Sequence, residues 1–272
     1  MPTLPASSWP AIVLLAASAL TLLSGRQRYG LSLLAATVPA ALWGGWITLP
    51  ALAPLAMASL LLYRQQHRPG SIQQWLLLLL ALLLGLHLLP GFTSLPLWQG
   101  QLAADSSSFL LRWQLDKAIA GCLLLLLYPE WRPPCGQRWP QLLLAALLLT
   151  LTASAALWLG LVRIDIKWPL WWPYWLAGNL LLTCLAEEAL FRRTLPQLLP
   201  ARWHALARML LCSLLFGLAH AGGGPVWVLC ASIAGLAYAL VYRAGGRLGW
   251  PILAHAAFNS LHLALLSYPQ LQ

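Results

Sequence analysis

Residues 76–89 read "LLLLLALLLGLHLL". His87 is the one polar side chain in the run, and apolar residues do not alternate with polar ones. A membrane-spanning strand alternates with period two over about ten residues. An unbroken, leucine-rich run without alternation is instead a helix in hydrocarbon. The rest of the chain repeats this composition: 60% of its 272 residues are hydrophobic and 8% are charged, against about 25% charged in soluble domains. Ten apolar stretches stand out, at roughly 9–24, 31–47, 49–63, 72–90, 109–128, 140–162, 170–191, 208–222, 225–242 and 249–268. They predict an all-α, polytopic transmembrane helical bundle of about 8–10 spans. The second and third are joined by the breaker-rich "WGGWITLPALAP" (43–54) and read either as two spans or as a broken pair. The longest polar connection is 91–116, and no stretch is long enough for a soluble domain.

A net charge of +10 invites a nucleic-acid reading, but its distribution argues against one. The sixteen basic residues lie in small groups between apolar runs, as membrane topology requires. With the N-terminus outside, Arg26, Arg28, Arg64, Arg68, Arg132, Arg138, Arg192, Arg193, Arg202, Arg208, Arg243 and Arg247 face the cytoplasm. Arg112, Lys117, Arg163 and Lys167 face outward, so twelve stand against four, which is the positive-inside bias. The N-terminus lacks the basic region of a signal peptide, so the first run is expected to stay as a span. Trp9, Trp46, Trp75, Trp131, Trp139, Trp168, Trp171, Trp203, Trp227 and Trp250 fall near predicted span ends and are read as an interfacial belt. Cys122, Cys135, Cys184, Cys212 and Cys230 show neither metal spacing nor a disulfide framework and are read as apolar filler. The expected setting is a multi-pass integral protein of the bacterial cytoplasmic (inner) membrane. The lipid bilayer is its surroundings, and no nucleic acid is a partner.

An ionisable residue inside a span costs on the order of 2.5–3.5 kcal/mol by insertion scales. Such residues therefore mark where to look. In the first half they are few: His87 near an outer end, and Asp116 with Lys117 opening the fifth stretch, all read as interfacial anchors or a local ion pair. The last hundred residues differ. "CLAEEALFRR" (184–193) closes the seventh stretch, "LLFGLAH" (214–220) the eighth, and "HAAFN" (255–259) lies inside the tenth. Glu188 and Arg192 are i,i+4 and can share a face. Glu187 is turned about 100° from Glu188 and does not share that i,i+4 arginine. His255 and Asn259 are likewise i,i+4, with His262 continuing their face as a structural residue. Counted from the nearest basic loop at 1.5 Å per residue, Glu187 lies ~7 Å deep, His255 ~12 Å, and His220 and Asn259 ~18 Å.

A carboxylate and a neutral imidazole beside one water make a general base. An imidazole N–H and an amide on one helix face make a two-donor clamp for an oxyanion. Together they describe water attack on an amide, inside apolar walls that suit a membrane-associated peptide. Cys184 stands one turn before Glu188, so covalent catalysis through its thiol stays open.

"EEALFR" (187–192), "FGLAH" (216–220) and "HAAFN" (255–259) resemble, in order and spacing, the EExxxR, FxxxH and HxxxN motifs of the CPBP family, the CAAX proteases and bacteriocin-processing enzymes. The resemblance covers about 170–262, and "FLLRWQLDKAIAG" (109–121) is similar to a stretch of some bacterial members with extra N-terminal spans. It implies accessory spans over 1–108 and a catalytic membrane domain over 109–272. It implies a glutamic-type intramembrane endopeptidase acting on a membrane-associated or prenyl/CAAX-like substrate, without metal or other cofactor. Glu187 and His220 would activate water, His255 and Asn259 would hold the oxyanion, and Glu188 and Arg192 would organise the site. Two alternatives remain. Glu187, His220 and His255 could hold zinc as a metalloprotease, although no HExxH spacing is present. The buried charges could instead serve a transporter-like protein or a non-catalytic immunity or interaction protein, although no internal repeat is visible.

Overall fold

The computed structural model describes residues 4–128 and 138–271. Trp131, Arg132 and Cys135 lie outside the described residues. The chain is built from helices, with one short two-stranded sheet among the described residues. In order these are α1 (Trp9–Leu23), α2 (Gln27–Trp43), α3 (Leu52–His67), α4 (Ser71–Gly85), β1 (Leu95–Gly100), β2 (Phe109–Trp113), α5 (Leu115–Leu127) and α6 (Arg138–Trp158). There follow α7 (Trp172–Gly178), α8 (Leu185–Glu188), α9 (Leu195–Leu198), α10 (Ala205–Leu218), α11 (Pro225–Gly245) and α12 (Gly249–Leu265). Each of the ten apolar stretches contains helix. Three helices, Ala6–Leu23, α6 and α11, are long and apolar enough to cross a membrane, and α4 and α10 are shorter apolar helices. The protein is an all-α helical bundle of the membrane.

Two local differences from the sequence reading have physical causes. The fifth stretch does not begin as helix. "FLLRW" (109–113) is β2, paired with β1, and its burial alternates: Leu111 and Trp113 are buried while Leu110 and Arg112 face out, the period of a strand. Helix starts only at Leu115, so α5 is 13 residues, about 20 Å. The tryptophan belt is also incomplete. Trp75, Trp139, Trp168 and Trp250 are exposed, but Trp46 is fully buried and its indole N–H donates to the Ser8 carbonyl at 3.0 Å, and Trp171 is buried too. These two rings fill core space.

Two compact units emerge, and neither is a continuous stretch of chain. The first holds α1–α4, α5 and residues 177–190. In it α2 closes on α1 where Gly30 faces Leu22, and the Ser18 hydroxyl donates to the Gly30 carbonyl at 2.8 Å. A glycine here lets two backbones approach, the usual device for helix association in lipid. The loop ahead of α3 is tied down by a bridge between Ile47 and Phe92 and by the Thr48 amide donating to Gly91.

The second unit holds residues 99–110, α6, the start of α7, and everything from Phe191 onward. α11 is its centre. One side packs on α6 through Ala145, Ala237, Leu240 and Val241. Another packs on α10, where Gly217 lies against Val228 and Ser232 with no room for a side chain. Both the polar connection and the segment after α6 are pinned to the C-terminal segment: Ser107 donates to Gln270, the Arg163 backbone N–H to Ser267 Oγ at 3.0 Å, and Lys167 to the Leu266 carbonyl. On the surface the Arg163 guanidinium forks onto both Asp105 oxygens at 2.6 and 2.8 Å. That fork holds the Asp105 carboxyl below its ordinary value of 3.8.

Candidate active site

The two carboxylates sit on a helix wound in an uncommon way. Between α7 and α9 the chain passes through π-helical turns at Asn179–Cys184 and Ala189–Thr194, with the four α-helical residues of α8 between them. Such i→i+5 turns are rare and concentrate at functional sites. Glu187 and Glu188 are the last two residues of α8. Glu188 is completely buried, and Glu187 keeps 15% of its side chain accessible. Ahead of them the Cys184 thiol is fully buried and donates to Asn179 Oδ1 at 3.2 Å.

In the first unit α8 packs on α5 at a glycine. A Cβ on Gly121 would stand 3.1 Å from Ala186 Cα and 3.2 Å from Leu185 Cγ. That approach carries Lys117, one turn earlier on α5, to Glu187: Nζ donates to Oε1 at 2.7 Å. Both partners are largely shielded, at 23% and 15% exposed. Lys117, expected as an interfacial anchor or in a local ion pair, thus pairs with a carboxylate 70 residues away. Asp116 does not serve Lys117's ammonium, although it is the adjacent residue. It is 1% exposed, and its oxygens accept from His87 Nδ1 at 2.9 Å, Gln114 Nε2 at 2.9 Å and the Lys117 backbone N–H at 2.8 Å. His87 reaches it from a left-handed backbone conformation, φ 60°, uncommon for a residue other than glycine.

In the second unit the ring of Phe216 is the centre of an aromatic cluster. Phe191, His255 and Tyr238 meet it edge-on at 5.2, 5.7 and 6.1 Å between ring centres, and His220 is tilted against it at 4.8 Å. The Arg192 guanidinium carbon lies 4.9 Å from the Phe216 centroid, within range for a cation over a π face. Arg192 is 2% exposed. Gly235 on α11 makes this arrangement possible, since a Cβ there would stand 3.1 Å from Phe216 Cδ1 and 3.4 Å from Arg192 Nη2.

His220 comes just after α10, in the turn before Gly224 (φ 91°) and Pro225 start α11. Glycine supplies the positive φ and proline the preset first helical residue. The ring's Nδ1 lies 2.8 Å from the Phe216 carbonyl. A carbonyl only accepts, so Nδ1 carries the hydrogen, and the neutral ring has its lone pair on Nε2. His255 is buried at 4% and stacked on Tyr238 at 4.5 Å with an 18° interplanar angle. Asn259 is half-buried one turn further along α12, on the same helix face as His255.

Glu187 and Glu188 thus belong to the first unit, beside Lys117. Arg192, His220 and His255 are gathered around Phe216 in the second, with Asn259 on the face of His255. Sequence reasoning missed three contributors. Lys117 was visible as the single basic residue of α5. Tyr238 and Gly235 gave no signal inside "GLAYALVY" (235–242). Among the described residues no three His, Cys, Asp or Glu side chains form a group suited to a metal ion. His262 stands apart from the cluster, against Trp227 and Tyr268, with Nε2 3.2 Å from the Ser267 carbonyl.

The family model described as type II CAAX prenyl endopeptidase Rce1-like matches residues 169–261, a third of the chain that contains all three motifs. Neither a curated protein nor a solved structure matches the chain. The segment 169–261, which carries Glu187, Glu188, His220, His255 and Asn259, is thus similar to the Rce1-like type II CAAX prenyl endopeptidases.

Proposed function

We propose that the protein is a glutamic-type intramembrane endopeptidase that hydrolyses a peptide bond of a membrane-associated or prenylated, CAAX-like substrate. The observation that carries this reading is the state of His220. Its Nδ1–H is committed to the Phe216 carbonyl, which presents a basic Nε2, on the imidazole that the family motif assigns to water activation. Glu187 takes a proton from the attacking water while the oxygen forms its bond to the scissile carbonyl carbon. The negative charge that develops on the carbonyl oxygen is held by the His255 N–H and the Asn259 amide, two donors from one face of α12. Collapse of the tetrahedral species breaks the C–N bond, and the proton held by Glu187 passes to the leaving amine. Glu188 and Arg192 organise the site. The Arg192 charge is held against the Phe216 ring, whose own backbone carbonyl orients His220. The setting we infer is a multi-pass protein of the bacterial cytoplasmic membrane, with the catalytic part over 109–272.

The test is a comparison of membrane-associated peptide termini in cells carrying wild type or Glu187→Gln. Peptides cleaved only by wild type, with the variant folded at wild-type abundance, support the assignment. Identical termini in the two cultures refute it.

A further inference from the structure

We propose that Lys117 is a positioning residue for Glu187: its ammonium holds Oε1 and so sets the direction in which the carboxylate meets the water. The proposal rests on the reading of Glu187 as the base. It is motivated by how α5 distributes its two charges. Lys117 lies beside Asp116 in sequence, yet its ammonium passes over that carboxylate and reaches one 70 residues away at 2.7 Å. Asp116 is supplied by other donors, His87, Gln114 and the helix's own N–H. That leaves the ammonium of Lys117 directed at Glu187.

The close approach that makes this possible has its own device, since Gly121 lets α5 lie against Ala186 of the turn that bears Glu187. An interfacial anchor needs neither a buried partner nor a glycine contact. The rest of α5 beyond Asp116 and Lys117 is apolar, "AIAGCLLLLL" (118–127). The helix thus delivers a single cation to the glutamate, where it offsets the cost of holding a carboxylate away from water. Carboxylate orientation matters because a displacement of about 1 Å in a reacting group costs on the order of 100-fold in rate.

The experiment uses the purified full chain in detergent and an internally quenched peptide with a farnesylated CAAX end. Wild type, Lys117→Met, Lys117→Arg, Glu187→Gln and Lys117→Met/Glu187→Gln are compared. The expected result is a loss in kcat on the order of 100-fold for Lys117→Met, with KM unchanged. Lys117→Arg recovers part of that loss, and the double variant is no slower than Glu187→Gln alone. Wild-type kcat in Lys117→Met, or equal losses in Lys117→Met and Lys117→Arg, overturns the proposal. If Glu187→Gln is meanwhile inactive, the base assignment survives. An active Glu187→Gln sinks that assignment and this proposal with it. If wild type leaves the peptide intact, the same five proteins are compared in cells by the membrane termini lost in Glu187→Gln. There, the termini persisting at wild-type levels in Lys117→Met overturns the proposal, and their loss in Lys117→Met but not in Lys117→Arg supports it.

Discussion

Gly235 offers the sharpest mechanical test of the aromatic cluster. Replacing it with alanine places a methyl 3.1 Å from Phe216 Cδ1 and 3.4 Å from both Phe216 Cβ and Arg192 Nη2. Carbon atoms pack best at about 3.5–4.0 Å, so the ring must retreat by roughly 0.4 Å or more. It has little room, because Phe191, His220, His255 and Tyr238 surround it and Phe216 is only 2% exposed. Overpacking of this kind costs about 1–3 kcal/mol, while the alanine recovers about 1 kcal/mol of helix propensity. The expected net loss is therefore up to about 2 kcal/mol. The functional loss should be larger than that figure suggests, since the displaced residue carries the carbonyl that orients His220. Gly249→Ala is the control: a Cβ there meets nothing within 4 Å, so its methyl brings no clash. Thermal unfolding in detergent and peptide cleavage read the two effects. Equal melting temperatures and equal activities for the two variants would refute the claim that Phe216 is held tightly by α11.

Other outcomes follow from the same contacts. Gly217→Ala should destabilise the α10–α11 contact, and adding Ser232→Ala should not restore it, because the Val228 carbonyl at 2.5 Å is backbone and cannot move aside; melting temperatures of the single and double variants decide this. Removing His87 by His87→Ala strips the nearly buried Asp116 of one of its donors and should cost on the order of 1–3 kcal/mol, measured by thermal unfolding. The Asp105–Arg163 fork concerns a depressed carboxyl pKa, so its contribution is present above the ordinary value of 3.8 and is lost as pH falls through the lower, folded value. Both side chains are half exposed, so Asp105→Asn should leave the melting temperature at neutral pH unchanged. The protection of the Ser107 amide, bonded to Gln270, relative to the intrinsic exchange rate at each pH, should fall in acid for wild type and already be low at neutral pH for the variant.

Composition alone determined the solvent and the element type. A chain 60% hydrophobic and 8% charged cannot be soluble as a monomer, and runs such as 76–89 have no strand period, so helices in a bilayer follow. The candidate residues were equally legible, because a glutamate, a histidine or an asparagine in such a background is costly enough to stand out one by one. Their order along the chain carried the family resemblance, and the matched segment 169–261 agrees with it.

Tertiary structure decided the partners. Hydropathy has no information on which helix lies beside which, so Lys117 read as an anchor or a local ion-pair partner, and its distant carboxylate was visible only with α5 against α8 across Gly121. The π turns flanking α8 were hidden for a related reason: they shift backbone hydrogen bonds by one residue without a residue type that announces them. Phe216, Tyr238 and Gly235 are ordinary helix residues in sequence. Their roles arise only when α10, α11 and α12 pack, since steric fit is a property of two surfaces and each residue contributes only one.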